Sequence, residues 1–361
     1  MKVLKWIAMV GASAVVLLLA TGFLYEQVGR RSEAKRLPAR IGQAVDVGGR
    51  TMNLYCSGEG GPAVVFETGG NSPGYTWLLV QPRVAEFTRA CWYDRAGVGW
   101  SDPPPAPRTS ASVARDLHEL LHRAGVPGPY VLAGASVGGE YIRVYTAAYP
   151  QEVAGLVFVD SSVPDQKEPA LMKGMVGRLP AWQREFLCGS VPWLSRFGVM
   201  RLMTRFAPFA EPRQFSAQQR EVLRSLERRP EATVSNAEQS CAATDGGAMD
   251  VNGGTGDPEV DDAARRSGGL GDRPVIVLTA GYHRDAWRNP EVTAFYRTWE
   301  NELQPSLARL STRGRQIIVR DSGHGIGFDD PAAVVNAVRD VVGQVRQQSS
   351  DRVISPSGHR K

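Results

Sequence analysis

The chain predicts an α/β fold: a mostly parallel, twisted sheet flanked by helices, with an inserted helical cap. Three observations carry this. Short, largely apolar runs at 63–66, 87–93, 130–133, 153–159 and 274–279 have the length and composition of buried strands. Helical stretches separate them in at least three places, the alternation expected of parallel strands joined by crossovers. The runs lead into polar or glycine-rich motifs: Glu67-Thr68-Gly69-Gly70, Asp94 to Asp102, Gly134-Ala135-Ser136-Val137-Gly138 and Asp160-Ser161-Ser162. In such sheets the carboxyl ends of the strands form the ligand edge.

Residues 1–40 precede this domain. Lys2 and Lys5 lead into Trp6 to Tyr25, an uncharged stretch that as a helix would be about 30 Å long, the thickness of a bilayer core. Trp6 and Tyr25 stand where interfacial aromatics belong. A retained membrane anchor is the expectation. Cleavage as a signal peptide near Ala20-Thr21-Gly22 is the competing reading. Basic residues flank both sides, so charge does not fix the orientation; export of the following domain is the default. The chain has 361 residues, 42% hydrophobic and 22% charged, with a net charge of +5 whose excess lies largely near the two ends. No basic helix is interleaved with aromatics, which argues against a nucleic-acid partner. The four cysteines lack C-x-x-C spacing, so zinc and redox motifs are disfavoured. Disulfides Cys56–Cys91 and Cys188–Cys241 are compatible with an oxidising compartment, and four buried free thiols are the alternative.

Residues 41–163 read as the first part of the core. A hairpin, 43–47 and 51–56, turns at Gly48-Gly49-Arg50. The Gly69-Gly70 pair after the first buried strand can leave backbone N–H groups facing a ligand. Asp94 and Arg95 read as structural, since a carboxylate beside an arginine usually pairs or caps. Thr109 or Ser110 can cap a helix over 111–124. His118 and His122 sit one turn apart on it, and with no third ligand in view a solvated face is preferred to a metal site. At 130–149 the pattern is strand, sharp turn, helix, with Ser136 at the apex. Glycine two residues before and two after the serine permits the close approach that such an elbow requires.

Residues 164–271 interrupt the alternation with amphipathic segments at 180–187, 193–206 and 216–226, rich in Trp, Phe and Met. They predict a cap over the site that also packs on itself. The Gly/Asp-rich stretch 245–262 fails as a calcium loop: Asp250 and Asn252 fit, but Thr255 and Asp261 stand where glycine and glutamate are required. It reads as a linker. Residues 272–346 resume the core with the strand at 274–279, the loop Tyr282-His283-Arg284-Asp285, a long helix over 291–310, a last strand at 316–319, Ser322-Gly323-His324, and a helix over 331–345. The tail, 347–361, is polar and predicted to be disordered.

Taken together and in order, these motifs resemble the α/β-hydrolase fold superfamily, over nearly all of 41–345. The match looks most like its membrane-anchored or exported bacterial members. The resemblance implies Ser136 as nucleophile and His324 as general base. It implies an oxyanion hole from the backbone N–H groups of Val137 and Gly70, with Thr68 where the family often has histidine. For the acid it allows Asp160 or Asp285; Asp160 is preferred, because Asp285 falls 39 residues before His324 in an unusual loop. Epoxide hydrolases and haloalkane dehalogenases of this fold need an aspartate at the elbow, so a serine there points to acyl transfer. The expected activity is a carboxylesterase or lipase-like hydrolysis of a small ester or acyl substrate, with no cofactor or metal. The alternatives are a perhydrolase or haloperoxidase-like enzyme, or a non-catalytic binding protein.

Overall fold

A computed structural model describes residues 2–105, 108–163, 179–206, 212–229, 231–232, 234–235, 269–282 and 288–354. Eight strands form one sheet: β1 (Gln43–Asp46), β2 (Thr51–Ser57), β3 (Val64–Glu67), β4 (Ala90–Tyr93), β5 (Tyr130–Ala135), β6 (Val153–Val159), β7 (Val275–Ala280) and β8 (Gly314–Val319). Their spatial order is β1-β2-β4-β3-β5-β6-β7-β8. β2 is antiparallel to both neighbours, and every other pairing from β4 to β8 is parallel. The parallel strands therefore end on one edge, where the motifs cluster.

The helices are α1 (Lys2–Arg36), α2 (Gln81–Ala85), α3 (Ser110–Arg123), α4 (Gly138–Ala148), α5 (Ala181–Arg196), α6 (Val199–Phe206), α7 (Ala217–Glu227), α8 (Pro290–Thr298), α9 (Gln304–Ala308), α10 (Ile326–Asp329) and α11 (Pro331–Ile354). Strand alternation splits the core in two. Val64 and Phe66 face one side with Val334, Val338 and Val341 of α11. Val65 and Leu132 face the other, with Leu117 and Leu121 of α3 and Ile142 of α4. Helices on both faces explain why these strands are apolar throughout. The start of α3 is fixed by a reciprocal cap, Thr109 with Ser112.

Several elements depart from expectation. The helix foreseen over 291–310 is broken by a π-helical turn, Trp299–Leu303. Pro305 explains the break: it has no N–H to give the carbonyl four residues back, and its ring crowds that carbonyl. The Gln304 N–H instead reaches the carbonyl of Trp299. The segment 193–206 is divided, because Gly198 adopts φ +71° and ends α5. Residues 347–354 of the expected tail are helical, since α11 continues to Ile354; the rest lies outside the described residues. Nothing between 344 and 354 breaks a helix, and Arg346 binds the carbonyls of Gly61 and Phe87, each at 2.8 Å. On the helix face expected to be solvated, His122 is exposed, while His118 is part-buried: it stacks on Tyr149 with ring centroids 4.0 Å apart, and its Nδ1 lies 3.2 Å from Glu152.

Cys56 and Cys91 are disulfide-bonded across β2 and β4. Cys188 is also disulfide-bonded; Cys241 lies outside the described residues, as do the 245–262 stretch and most of the insertion's loops. α1 contains a window of mean hydropathy 2.3, none of which is buried.

Candidate active site

Among the described residues, two that are not glycine have positive φ: Ser136 at +52° and Asp160 at +44°. Such a backbone costs about 1–3 kcal/mol and persists only where its surroundings enforce it. At Ser136 the enforcement is visible. Its N–H donates to the Val159 carbonyl (3.1 Å), and its own carbonyl accepts from Ser162 (2.9 Å). A Cβ at Gly134 would lie 2.6 Å from the Gly138 carbonyl oxygen, and one at Gly138 would lie 2.7 Å from that of Thr68. The glycines therefore let strand, helix and first loop close on one another, with the serine at the crest.

The first loop is pinned from below. Glu67 and Arg95 form an ion pair that is almost fully buried. Burial pushes the Glu67 carboxyl up, while Arg95, the Tyr93 hydroxyl and the Thr68 N–H pull it back. Arg95 also donates to the Thr68 carbonyl at 2.8 Å and to the Gly70 carbonyl. Gly70 has φ +46°. Among the described residues no acceptor takes the N–H of Gly70 or of Val137. Asp94 braces the neighbouring loop, accepting from Gly74 N–H (2.7 Å), Trp100 N–H (2.9 Å) and Asn53 (3.0 Å). Arg95 thus reaches the loop beside Ser136 directly, a link that the adjacency of Asp94 and Arg95 in sequence does not reveal.

His324 follows β8, and its Nδ1 lies 2.6 Å from Oδ2 of Asp160. Asp160 is buried, and its Oδ1 accepts from the Ala280 N–H (3.0 Å) and the Trp299 indole N–H (2.9 Å). The His324 side chain is 60% exposed. Ser136 and His324 line one cavity of about 350 Å³ together with Gly70, Trp77, Ile326 and Phe328. The structure thus brings Ser136, His324, Asp160 and Gly70 to one edge, with Val137 next to the serine. Asp285 and His283 lie outside the described residues. Trp299 was not foreseen as part of this edge. It comes from the broken helix, and a tryptophan in an amphipathic pattern signals core rather than site. Among the described residues, no group of three His, Cys, Asp or Glu side chains is placed to hold a metal.

Sequence and structural comparisons bear on the fold. The alpha/beta hydrolase fold family matches residues 62–240. The protein YbdG of Bacillus subtilis is 30% identical over 168 residues, 46% of this chain and 51% of YbdG. The vacuolar membrane protein YNL115C of Saccharomyces cerevisiae is 37% identical over 122 residues, 33% of this chain and 18% of that protein. The chain thus spans about half, or less, of these curated relatives. A haloalkane dehalogenase loop variant from Bradyrhizobium elkanii superposes with a TM-score of 0.61 at 18% identity, covering 86% of this chain and 98% of that one. Its likeness extends to the cap helices. With its eight-stranded sheet and a serine elbow at the carboxyl edge, the chain is a member of the α/β-hydrolase fold superfamily.

Proposed function

We propose that this hydrolase is a serine carboxylesterase, lipase-like in its apolar surroundings, that works through an acyl-enzyme. The observation that carries the reading is the 2.6 Å contact between buried Asp160 and Nδ1 of His324, which lines the same cavity as Ser136. With Nδ1 held by the carboxylate, Nε2 is the nitrogen that accepts a proton in the reaction.

In the first half-reaction Ser136 Oγ attacks the ester carbonyl carbon and His324 takes the hydroxyl proton. The carbonyl oxygen becomes an oxyanion that accepts from the N–H groups of Gly70 and Val137. The carbon–alkoxide bond then breaks, and His324 returns the proton to the departing alcohol. Water repeats the sequence on the acyl-serine and releases the acid. Asp160 stays ionised and stabilises the imidazolium. An elbow serine cannot supply the carboxylate that alkyl-enzyme chemistry requires, so dehalogenation and epoxide opening are disfavoured despite the shared fold.

We place the catalytic domain outside the cytoplasm, tethered by α1, or secreted if α1 is cleaved. The Cys56–Cys91 disulfide supports an oxidising compartment.

A fluorophosphonate probe tests the chemistry. It labels the wild type at Ser136 and fails on Ser136→Ala, and labelling slows steeply in His324→Ala. Turnover of a p-nitrophenyl ester falls by about 10³-fold or more in both variants. An unlabelled wild type, or equal labelling in His324→Ala, overturns the reading.

A further inference from the structure

Helix α5 carries an aromatic stripe. Trp182, Phe186, Trp193 and the capping residue Phe197 follow the steps i, i+4, i+11 and i+15. At 100° per residue they fall within an arc of about 60°, and they run about 22 Å along the helix. Trp182, Phe186 and Trp193 are 69%, 72% and 56% exposed. Three large aromatics on one open helix face are costly in water and mark a surface that meets something apolar.

The stripe is joined to α1 at one level. A Cβ at Gly22 would lie 2.6 Å from the Phe197 carbonyl oxygen, and one at Gly198 would lie 2.7 Å from the Tyr25 ring. Phe197 in turn packs on Trp193, with ring centroids 4.8 Å apart. One turn further along α1, the buried Glu26 binds Arg201 of α6 at 3.0 Å, Glu33 binds the same guanidinium, and Arg30 lies 3.6 Å from Glu231. Gly22 and Tyr25 form the last turn of the uncharged stretch, and Glu26 is the first charge after Lys5. The contact therefore sits where a spanning α1 would leave the hydrocarbon, the depth that Trp and Tyr favour.

We propose that the Trp182–Phe186–Trp193 face of α5 lies in the headgroup layer of the bilayer that α1 crosses. The occupant is lipid, because the Phe197 end of the stripe meets α1 at its boundary level and ion pairs from α1 to Arg201 tie the next helix, α6, to the same part of α1. This rests on α1 being a retained span.

The test places a single nitrobenzoxadiazole-labelled cysteine in the full chain, reconstituted in phosphatidylcholine nanodiscs with and without a doxyl-labelled lipid. The chain without an added cysteine serves as the blank. Labels at Phe186→Cys and, separately, Trp193→Cys report the stripe. Leu17→Cys reports the span, and Glu59→Cys reports the opposite edge of the sheet. The doxyl lipid should reduce emission at 186 and 193 by at least about twofold, as for a helix face sunk ~5–10 Å into the boundary, and leave Glu59→Cys unchanged. If Leu17→Cys is quenched while 186 and 193 are not, the proposal is overturned, whether their emission is that of water or of a protein-covered site. If Leu17→Cys is itself unquenched, the span reading fails and the proposal fails with it.

Discussion

The indole N–H of Trp299 donates to Oδ1 of Asp160 at 2.9 Å across 139 residues of sequence. The Ala280 N–H occupies the same oxygen. Oδ2 is thereby turned to His324, and the carboxylate cannot rotate without breaking two hydrogen bonds. Trp299 reaches Asp160 from a π-helical turn, a distortion that recurs at functional sites.

Replacing Trp299 by Phe keeps most of the ring volume and deletes one donor to a buried carboxylate. A hydrogen bond to a charged group contributes about 1.5–3 kcal/mol, only part of which is expressed in the reaction. We expect kcat on a p-nitrophenyl ester to fall about 3- to 30-fold with KM nearly unchanged. Equal losses through KM would mean that Trp299 shapes substrate binding instead.

Asp160→Asn should be far more damaging. The amide cannot stabilise the imidazolium and presents His324 with the wrong tautomer, so kcat should drop by about 10³- to 10⁴-fold. Asp285→Asn should stay within about threefold of wild type. If Asp285→Asn carries the larger loss, the acid is Asp285 and the Asp160 contact is structural.

These residues differ in how readable they were. The turn at Ser136 is encoded locally, since only glycine fits where a Cβ would meet backbone at 2.6–2.7 Å. Strand existence was equally legible, because buried parallel strands are continuous apolar runs. What stayed hidden depends on partners distant in sequence. Arg95 pinning the Gly70 carbonyl and Gln304 reaching the Ser161 carbonyl at 2.6 Å join residues 25 and 143 positions apart. The break at Trp299 was missed although Pro305 announces it, because the surrounding apolar pattern is helical throughout.

Gly69 offers a probe of the space beneath Ser136. A Cβ there would stand 2.9 Å from Cβ of Ser136 and 3.2 Å from the Ala135 carbonyl oxygen. Gly69→Ala must therefore displace the serine or the first loop by a few tenths of an ångström. Such misplacement can cost up to about 100-fold in rate. We expect at least a tenfold fall in kcat with a fluorophosphonate labelling rate reduced in parallel, while stability falls by about 1–3 kcal/mol. Unchanged kinetics would show that the loop yields without moving Ser136.

Asp94 gives a prediction in pH. Burial raises its carboxyl to about 6, against the opposing pull of the Trp100 and Gly74 N–H groups and of Asn53. The folded state therefore holds the proton more tightly than the unfolded chain, whose aspartate titrates near 4. Below about pH 4 both states are protonated and the group's contribution is complete. As pH rises towards 6 the unfolded chain ionises first, and this stability is lost; above 6 both are ionised and the loss is constant. The chain as a whole contains other titrating groups, so the difference between wild type and Asp94→Asn isolates the term. Asp94→Asn should be destabilised at every pH, because its amide N–H₂ must face either the Gly74 N–H or the pair from Asn53 and Trp100. Its disadvantage should shrink by about 1–3 kcal/mol between pH 4 and pH 6.5 in urea unfolding. A difference that is flat in pH, or that grows, would show that the fold does not raise the Asp94 carboxyl and that its three donors offset or outweigh its burial.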